Sequence, residues 1–251
     1  MNTVKSPDYA SMVYELRQHA AFLYAFMIIN GFFIIFPQID LIVSRHFFQS
    51  GSFFISHNSY WIALRDFHRL SQWCLLIFMF ILVAFYSLWR RPLSIIAPHK
   101  VVYIVLTYVL GPGALVNSLK LLIGRARPRD IVEFGGSADF TPAWQLARMC
   151  HYGCSFPSGE TSAAAAMLPL LILVPARFRL NAAVIFIPIL ALISLNRVFM
   201  GAHFLSDVMI TWTLIIGLMI WLWPRVVRHA DVIDGWVRSR SEKLRKRLYV
   251  R

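Results

Sequence analysis

Six apolar runs, separated by polar connections, set the pattern of the chain: Ala20–Phe36, Trp73–Trp89, Val101–Leu119, Thr161–Ala176, Leu180–Ser194 and Leu205–Trp223. A helix that crosses a bilayer needs about 20 mainly apolar residues. The first run is slightly short for this and is expected to extend by a turn or to thin the bilayer locally. Pro37, Arg90-Arg91-Pro92, Lys120, Arg177 with Arg179, and Pro224 punctuate the runs. Gly111-Pro112-Gly113 interrupts the third, and a neighbouring helix or a cavity must satisfy the backbone groups so freed. Ala163–Ala166 in the fourth favours close helix packing.

The connections differ in character. Gln38–Gln72 is amphipathic and aromatic, and within it Trp61–Leu70 has apolar residues at helical spacing. That stretch reads equally as a helix lying in the interface or as a folded connection. In Leu121–Phe156, Gly135-Gly136 and Pro142 argue against one long helix. The pattern predicts an all-α polytopic membrane protein with six transmembrane helices in a bundle. An N-terminal segment (1–19) without a cleavable signal pattern precedes a membrane domain (20–224). A basic tail (225–251) follows, either an amphipathic helix on anionic lipid or disordered.

Composition agrees with a membrane protein. Of the 251 residues 58% are hydrophobic and only 15% charged, where soluble domains carry about 25%. The net charge of +13 raises nucleic acid as a partner, but the basic residues flank apolar runs instead of forming a basic face, so no nucleic acid is expected. Most lysines and arginines fall on the side that six spans assign to both termini, which places the termini in the cytoplasm and the opposite helix ends outside. Cys74 lies in an apolar run as a small packing residue. Cys150 and Cys154 share a polar loop, either as free thiols or as a disulfide if the loop faces an oxidising compartment.

Three polar islands fall on that outer side. Lys120, Arg125, Arg127 and Arg129 crowd the end of one run, where they act either as snorkelling anchors or as an anion site built of guanidinium forks. Pro157-Ser158-Gly159-Glu160 opens the fourth run, with a serine able to cap a helix and a glycine that lets a ligand approach the backbone. Asn196-Arg197 is followed by His203 and, four residues later, by Asp207, which on a helix shares a face with the histidine and can fix its tautomer.

The order Lys-x6-Arg-Pro, Pro-Ser-Gly, then Arg-x5-His-x3-Asp resembles the signature of the type 2 phosphatidic acid phosphatase superfamily, related to vanadium haloperoxidases. The resemblance implies an integral membrane phosphatase needing no metal or other cofactor. His203 would attack phosphorus, Asp207 would orient it, and Lys120, Arg127, Ser158, Gly159 and Arg197 would hold the phosphate oxygens. Two positions depart from the pattern: Asn196 replaces a serine, and Glu160 stands where a histidine protonates the leaving oxygen. Glu160 takes that role only with a raised proton affinity; His151 is the other candidate acid, and a third reading has Glu160 position water or hold a charged His203. The glutamate and the Gly-Arg-Ala-Arg-Pro-Arg-Asp context are most similar to lipid A phosphatases, which implies a bacterial inner-membrane protein with a periplasmic site acting on a membrane lipid phosphate. Undecaprenyl diphosphate, phosphatidylglycerol phosphate, and phosphoryl transfer to another lipid are the alternatives. The sequence is silent on oligomeric state.

Overall fold

Pro37 ends the first helix, and the chain turns by 79° there. Helix α1 (Tyr9–Ile35) leads into α2 (Gln38–Phe47), and a short antiparallel hairpin follows, β1 (Phe48–Gln49) and β2 (Ser52–Phe53). Then come α3 (Ser59–Leu88), α4 (Pro98–Tyr108), α5 (Asn117–Ile123), α6 (Gly159–Ala165), α7 (Ala176–Phe199) and α8 (Leu205–Arg228). These are the elements of a computed structural model that describes residues 9–88, 96–150, 152–237 and 239. Residues 1–8 of the expected N-terminal segment, Arg90-Arg91, and 238 and 240–251 of the basic tail lie outside the described residues, as does His151.

The fold is mostly helical. Among the described residues, Pro98–Asp130, Ala176–Phe199 and Leu205–Arg228 are long and apolar enough to cross a membrane, and the bent pair His19–Ile35 with Gln38–Phe47 makes a fourth if it counts as one span. The fourth apolar run forms no single long helix. It is α6 followed by a 3-10 turn segment, Leu168–Leu173, with Pro169 at its start. Proline has no N–H to continue the α-helical ladder, so the hydrogen-bond pattern changes there.

Three local outcomes differ from the sequence pattern. Trp61–Leu70 belongs to the first turns of α3, continuous with the apolar run that follows; it is neither a separate interfacial helix nor an irregular connection. Pro224 does not close the sixth run: α8 continues to Arg228, and the Arg225 guanidinium donates back to the Trp221 carbonyl and stacks 3.9 Å over its ring. The Gly111-Pro112-Gly113 break is absorbed as a widened, π-helical segment, Val109–Val116, between α4 and α5. There Asn117 Nδ2 donates to the Gly113 carbonyl at 2.9 Å, so a side chain of the same helix satisfies a group that the break frees.

The core lies where α4, the π-helical segment, α6, α7 and α8 meet. Ala163–Ala166 are almost completely buried there, beside Tyr108, Leu190, Ile193 and Ile215. Lipid is as apolar as leucine, so small residues that let backbones approach closely drive such packing. Tyr108 donates its hydroxyl to the Ala163 carbonyl (3.0 Å) and Tyr103 donates to the Met219 carbonyl (3.3 Å), so the hydroxyls of both core tyrosines are paired. Exposed leucines, isoleucines and phenylalanines cover α1, α3 and α7, as expected of surfaces that meet lipid.

Gly111 is one of the points of closest approach. A Cβ there would lie 2.9 Å from Ile215 Cδ1 and 3.3 Å from Leu218 Cδ2. Gly111→Val therefore forces α8 away and is expected to destabilise the fold by about 1–3 kcal/mol. The measurement is thermal unfolding in detergent, with Gly31→Val, where a Cβ meets nothing within 4 Å, as the neutral comparison.

Candidate active site

His203 sits in the five-residue turn between α7 and α8. The turn is wound back on itself: the amides of Ala202 and His203 both donate to the Arg197 carbonyl, at 3.0 and 3.2 Å. Gly201 has a φ of +62°, and the Phe53 ring of the distant hairpin occupies the place of a Cβ. A side chain there would be both strained and blocked. The Arg129 amide donates to the Gly201 carbonyl (3.2 Å), fastening the turn to the loop after α5.

Asp207 stands in the first turn of α8, with one carboxylate oxygen 3.6 Å from His203 Nδ1. That oxygen also accepts from the Phe204 amide (2.8 Å) and from the Ser155 hydroxyl. The other oxygen accepts from Arg125 Nη1 at 2.5 Å. Arg125 is itself fully buried. Its remaining nitrogens donate to Asp40 (2.8 Å) and to the Thr141 carbonyl (2.7 Å), and its guanidinium lies 4.1 Å from the Phe204 ring centre. Ser206 closes the network by donating its amide to Asp40 at 2.8 Å.

Arg125 is therefore turned inward, away from any ligand, although the sequence grouped it with the basic cluster. Its neighbours behave differently. Arg127 donates to the Gly153 carbonyl (2.7 Å) and Lys120 to the Cys154 carbonyl, which sets both on the loop that precedes Ser158. Cys150 and Cys154 are joined as a disulfide in that loop, with Cα atoms 5.5 Å apart. Lys120 also passes beside Gly159, where a Cβ would lie 3.6 Å from its Cε. Arg129 is half exposed and 3.8 Å from Asp130.

Ser158 caps α6 by accepting from the Thr161 amide (3.3 Å), while its own amide donates to Thr211 (2.9 Å). Glu160, in the first turn of α6, is gripped by two guanidinium groups. Arg197 pairs with one carboxylate oxygen and Arg69 with the other, at 2.6 Å. The His68 ring lies 3.1 Å from the Glu160 carbonyl. Arg69 and His68 come from α3, and sequence spacing within the three islands carries no sign of them. The signal was the amphipathic Trp61–Leu70 stretch, whose polar stripe faces the pocket. Asp40, Ser155 and Ser206 were missed for the same reason, since each meets its partner only in space.

Lys120, Glu160, Arg197, His203 and Asp207 are thus brought together, and Arg127 stands beside them. Burial pushes the His203 imidazole far below its ordinary value, to about 4. The Asp207 carboxylate opposes the shift, and the positive charges of Lys120 and Arg197 add to it. At neutral pH the ring is uncharged, with one nitrogen turned to Asp207 and a lone pair on the other. An imidazole so held can act as a nucleophile or base toward an anion seated on the surrounding cations.

Helices that suit a bilayer, with a histidine-centred basic pocket at their ends, define the class. The chain belongs to the PAP2 superfamily, whose family model matches residues 100–231. Among curated proteins it is similar to a lipid A 4'-phosphatase of Rhizobium leguminosarum, 41% identical over 42% of this chain and 46% of that protein. A lipid A 4'-phosphatase of Francisella tularensis subsp. novicida is 29% identical over 70% of this chain and 81% of its own length. A lipid A 1-phosphatase of Rhizobium etli is 37% identical over 41% of this chain and 40% of that protein. The matches to the Rhizobium proteins span less than half the length of those relatives. No solved structure matches.

Two outcomes test this geometry. Replacing Arg125 by Met leaves Asp40 and Asp207 buried without their shared cation, and the expected loss of stability is about 3–5 kcal/mol, read by thermal unfolding. In protein labelled with ¹⁵N-histidine, the His203 ring should stay neutral from pH 8 down to pH 5, because its proton affinity is depressed to about 4 and protonation sets in only near that value. Titration near pH 6.5, the ordinary histidine range, would contradict the buried site.

Proposed function

We propose that the protein is an integral membrane phosphatase that removes a phosphate from a membrane lipid, with lipid A as its substrate. The buried His203–Asp207 pair, with Arg197 on the preceding turn, carries this reading. Membership of the PAP2 superfamily and similarity to lipid A 4'-phosphatases support it. In this reading six spans cross the inner membrane, both termini lie in the cytoplasm, and the pocket opens to the periplasm. The membrane domain covers 20–224, between a short N-terminal segment and the basic tail. Phosphatidylglycerol phosphate or undecaprenyl diphosphate are the other lipid phosphates of the same chemistry.

The reaction needs no metal in this reading. Lys120, Arg127 and Arg197, with Ser158 and the Gly159 amide, hold three phosphate oxygens and the charge that develops on them. The uncharged His203 attacks phosphorus in line with the lipid oxygen, the P–O bond breaks, and a phosphohistidine forms while Asp207 balances the new imidazolium charge. Water then attacks phosphorus and passes a proton to the carboxylate that served the leaving oxygen, the P–N bond breaks, and inorganic phosphate leaves with His203 uncharged again.

Glu160 has to give a proton to the departing oxygen, yet two arginines hold it as a carboxylate in the free protein. The substrate itself resolves this. A phosphate seated on Arg197 draws that guanidinium away from Glu160 and adds negative charge beside it, and both changes raise the proton affinity of the carboxyl group. The acid is therefore armed only when the substrate is bound.

The test is phosphate release from purified lipid A in detergent micelles. His203→Ala is expected to abolish it, and retention of activity would sink the phosphatase reading. Glu160→Gln should lower kcat on lipid A about 100-fold, the usual contribution of general acid catalysis. It should hardly affect p-nitrophenyl phosphate, whose leaving group departs without a proton. Equal losses on both substrates would remove Glu160 from the acid role.

A further inference from the structure

A groove of about 530 Å³ lies between α3 and α7, floored by the segment after α6. Leu70, Cys74 and Phe78 form one wall, Ile189 and Ile193 the other, and Met167 the floor. On α3 the spacing of three and four residues makes these positions a single stripe along the helix. The groove is apolar and opens to the face that meets lipid. By itself such a face would only be filled by bulk lipid.

The groove's upper end is what distinguishes it. Ile193 is four residues before Arg197, so one helical turn, about 5–6 Å, separates the groove from the guanidinium that grips Glu160. Leu70 follows Arg69, which grips the same carboxylate from the opposite wall. Met167 is on the chain that begins with Ser158, Gly159 and Glu160. All three walls of the apolar groove thus run upward into three walls of the charged pocket. From Phe67 to Phe78 the α3 wall extends about 16 Å at 1.5 Å per residue, the scale of an acyl chain.

We propose that this groove is the binding site for one acyl chain of the lipid whose phosphate enters the pocket, and that it fixes the depth at which the phosphate group stands. The inference rests on the phosphatase reading above. An acyl chain gains no hydrophobic free energy on moving from bilayer to groove, because both are apolar. The gain is orientation: a chain held between α3 and α7 carries its headgroup against Arg69, Arg197 and His203 and restricts its tilt. Arg69, half exposed at the junction, is the first cation that an arriving phosphate meets. The groove selects for a phosphate on an acylated carrier over a phosphate in solution.

Cys74 makes the groove testable. The chain has three cysteines, two of them are joined in the disulfide, and Cys74 is exposed on the groove wall. In His203→Ala protein in phosphatidylcholine vesicles, a membrane-soluble maleimide should label Cys74. Long-chain phosphatidic acid should slow the labelling about fivefold or more, while inorganic phosphate and additional phosphatidylcholine should not. In the active protein Cys74→Trp, which fills the groove, should raise KM for long-chain phosphatidic acid about tenfold and change kcat/KM for p-nitrophenyl phosphate less than about twofold. Labelling that phosphatidic acid leaves unchanged, or that phosphatidylcholine slows equally, would overturn the proposal and make the groove an ordinary lipid contact. So would a Cys74→Trp protein that treats both substrates alike. The labelling needs no turnover, so it decides the groove even if the native protein releases no phosphate from lipid A, a result that would overturn the phosphatase reading alone.

Discussion

A single buried guanidinium holds the histidine end of this molecule together. Arg125 has no contact with solvent and lies between Asp40 of α2 and Asp207 of α8, with two phenylalanine rings beside it. Two carboxylates in an apolar interior repel one another and pay heavily for lost hydration unless a cation and several donors serve both. Arg125, Ser155, Ser206 and the Phe204 amide supply those donors. Asp207 is consequently fixed from three directions before it meets His203, and the histidine inherits its position from that network. The arginine does not bind the ligand, but the site is built on it.

The pocket above this network is electrostatically closed in the absence of a ligand. Glu160 lies across Arg69 and Arg197, two of the cations that an anion would seek. Guanidinium groups left unpaired in a nearly buried pocket would be costly, and the glutamate removes that cost. A histidine at this position, which the superfamily pattern leads one to expect, would leave the positive charge of the cluster uncompensated where the glutamate balances it. The glutamate thus sets the resting state of the pocket.

Much of this was legible in the amino-acid sequence, though unevenly. The apolar runs marked the helices because hydrophobic length is a coarse signal that survives errors of several residues. Their ends were less legible: Pro224 looked like a stop, yet α8 passes through it, and Trp61–Leu70 looked like a separate element, yet it begins α3. The ionisable residues of the three islands stood out because charge is rare in an apolar chain. Burial was not legible. Nothing in Lys120–Arg129 distinguishes Arg125, which faces inward, from Arg127, which lies at the pocket, since they differ only in which side of a loop they leave. Arg69 and Asp40 were hidden for another reason. Their partners lie 91 and 85 residues away along the chain, and local spacing carries no record of such pairs.

The contact of Phe53 with Gly201 gives the molecule a built-in order of assembly. The turn that carries His203 takes its shape against a ring from the first hairpin, and Ser206 beside it bonds to Asp40, 166 residues earlier. Contacts so distant in sequence form late, after most of the chain has been placed. A nascent chain that has not brought its first hairpin against Gly201 has no formed histidine turn. The shape of the histidine turn and the packing of two distant parts of the chain are therefore acquired together.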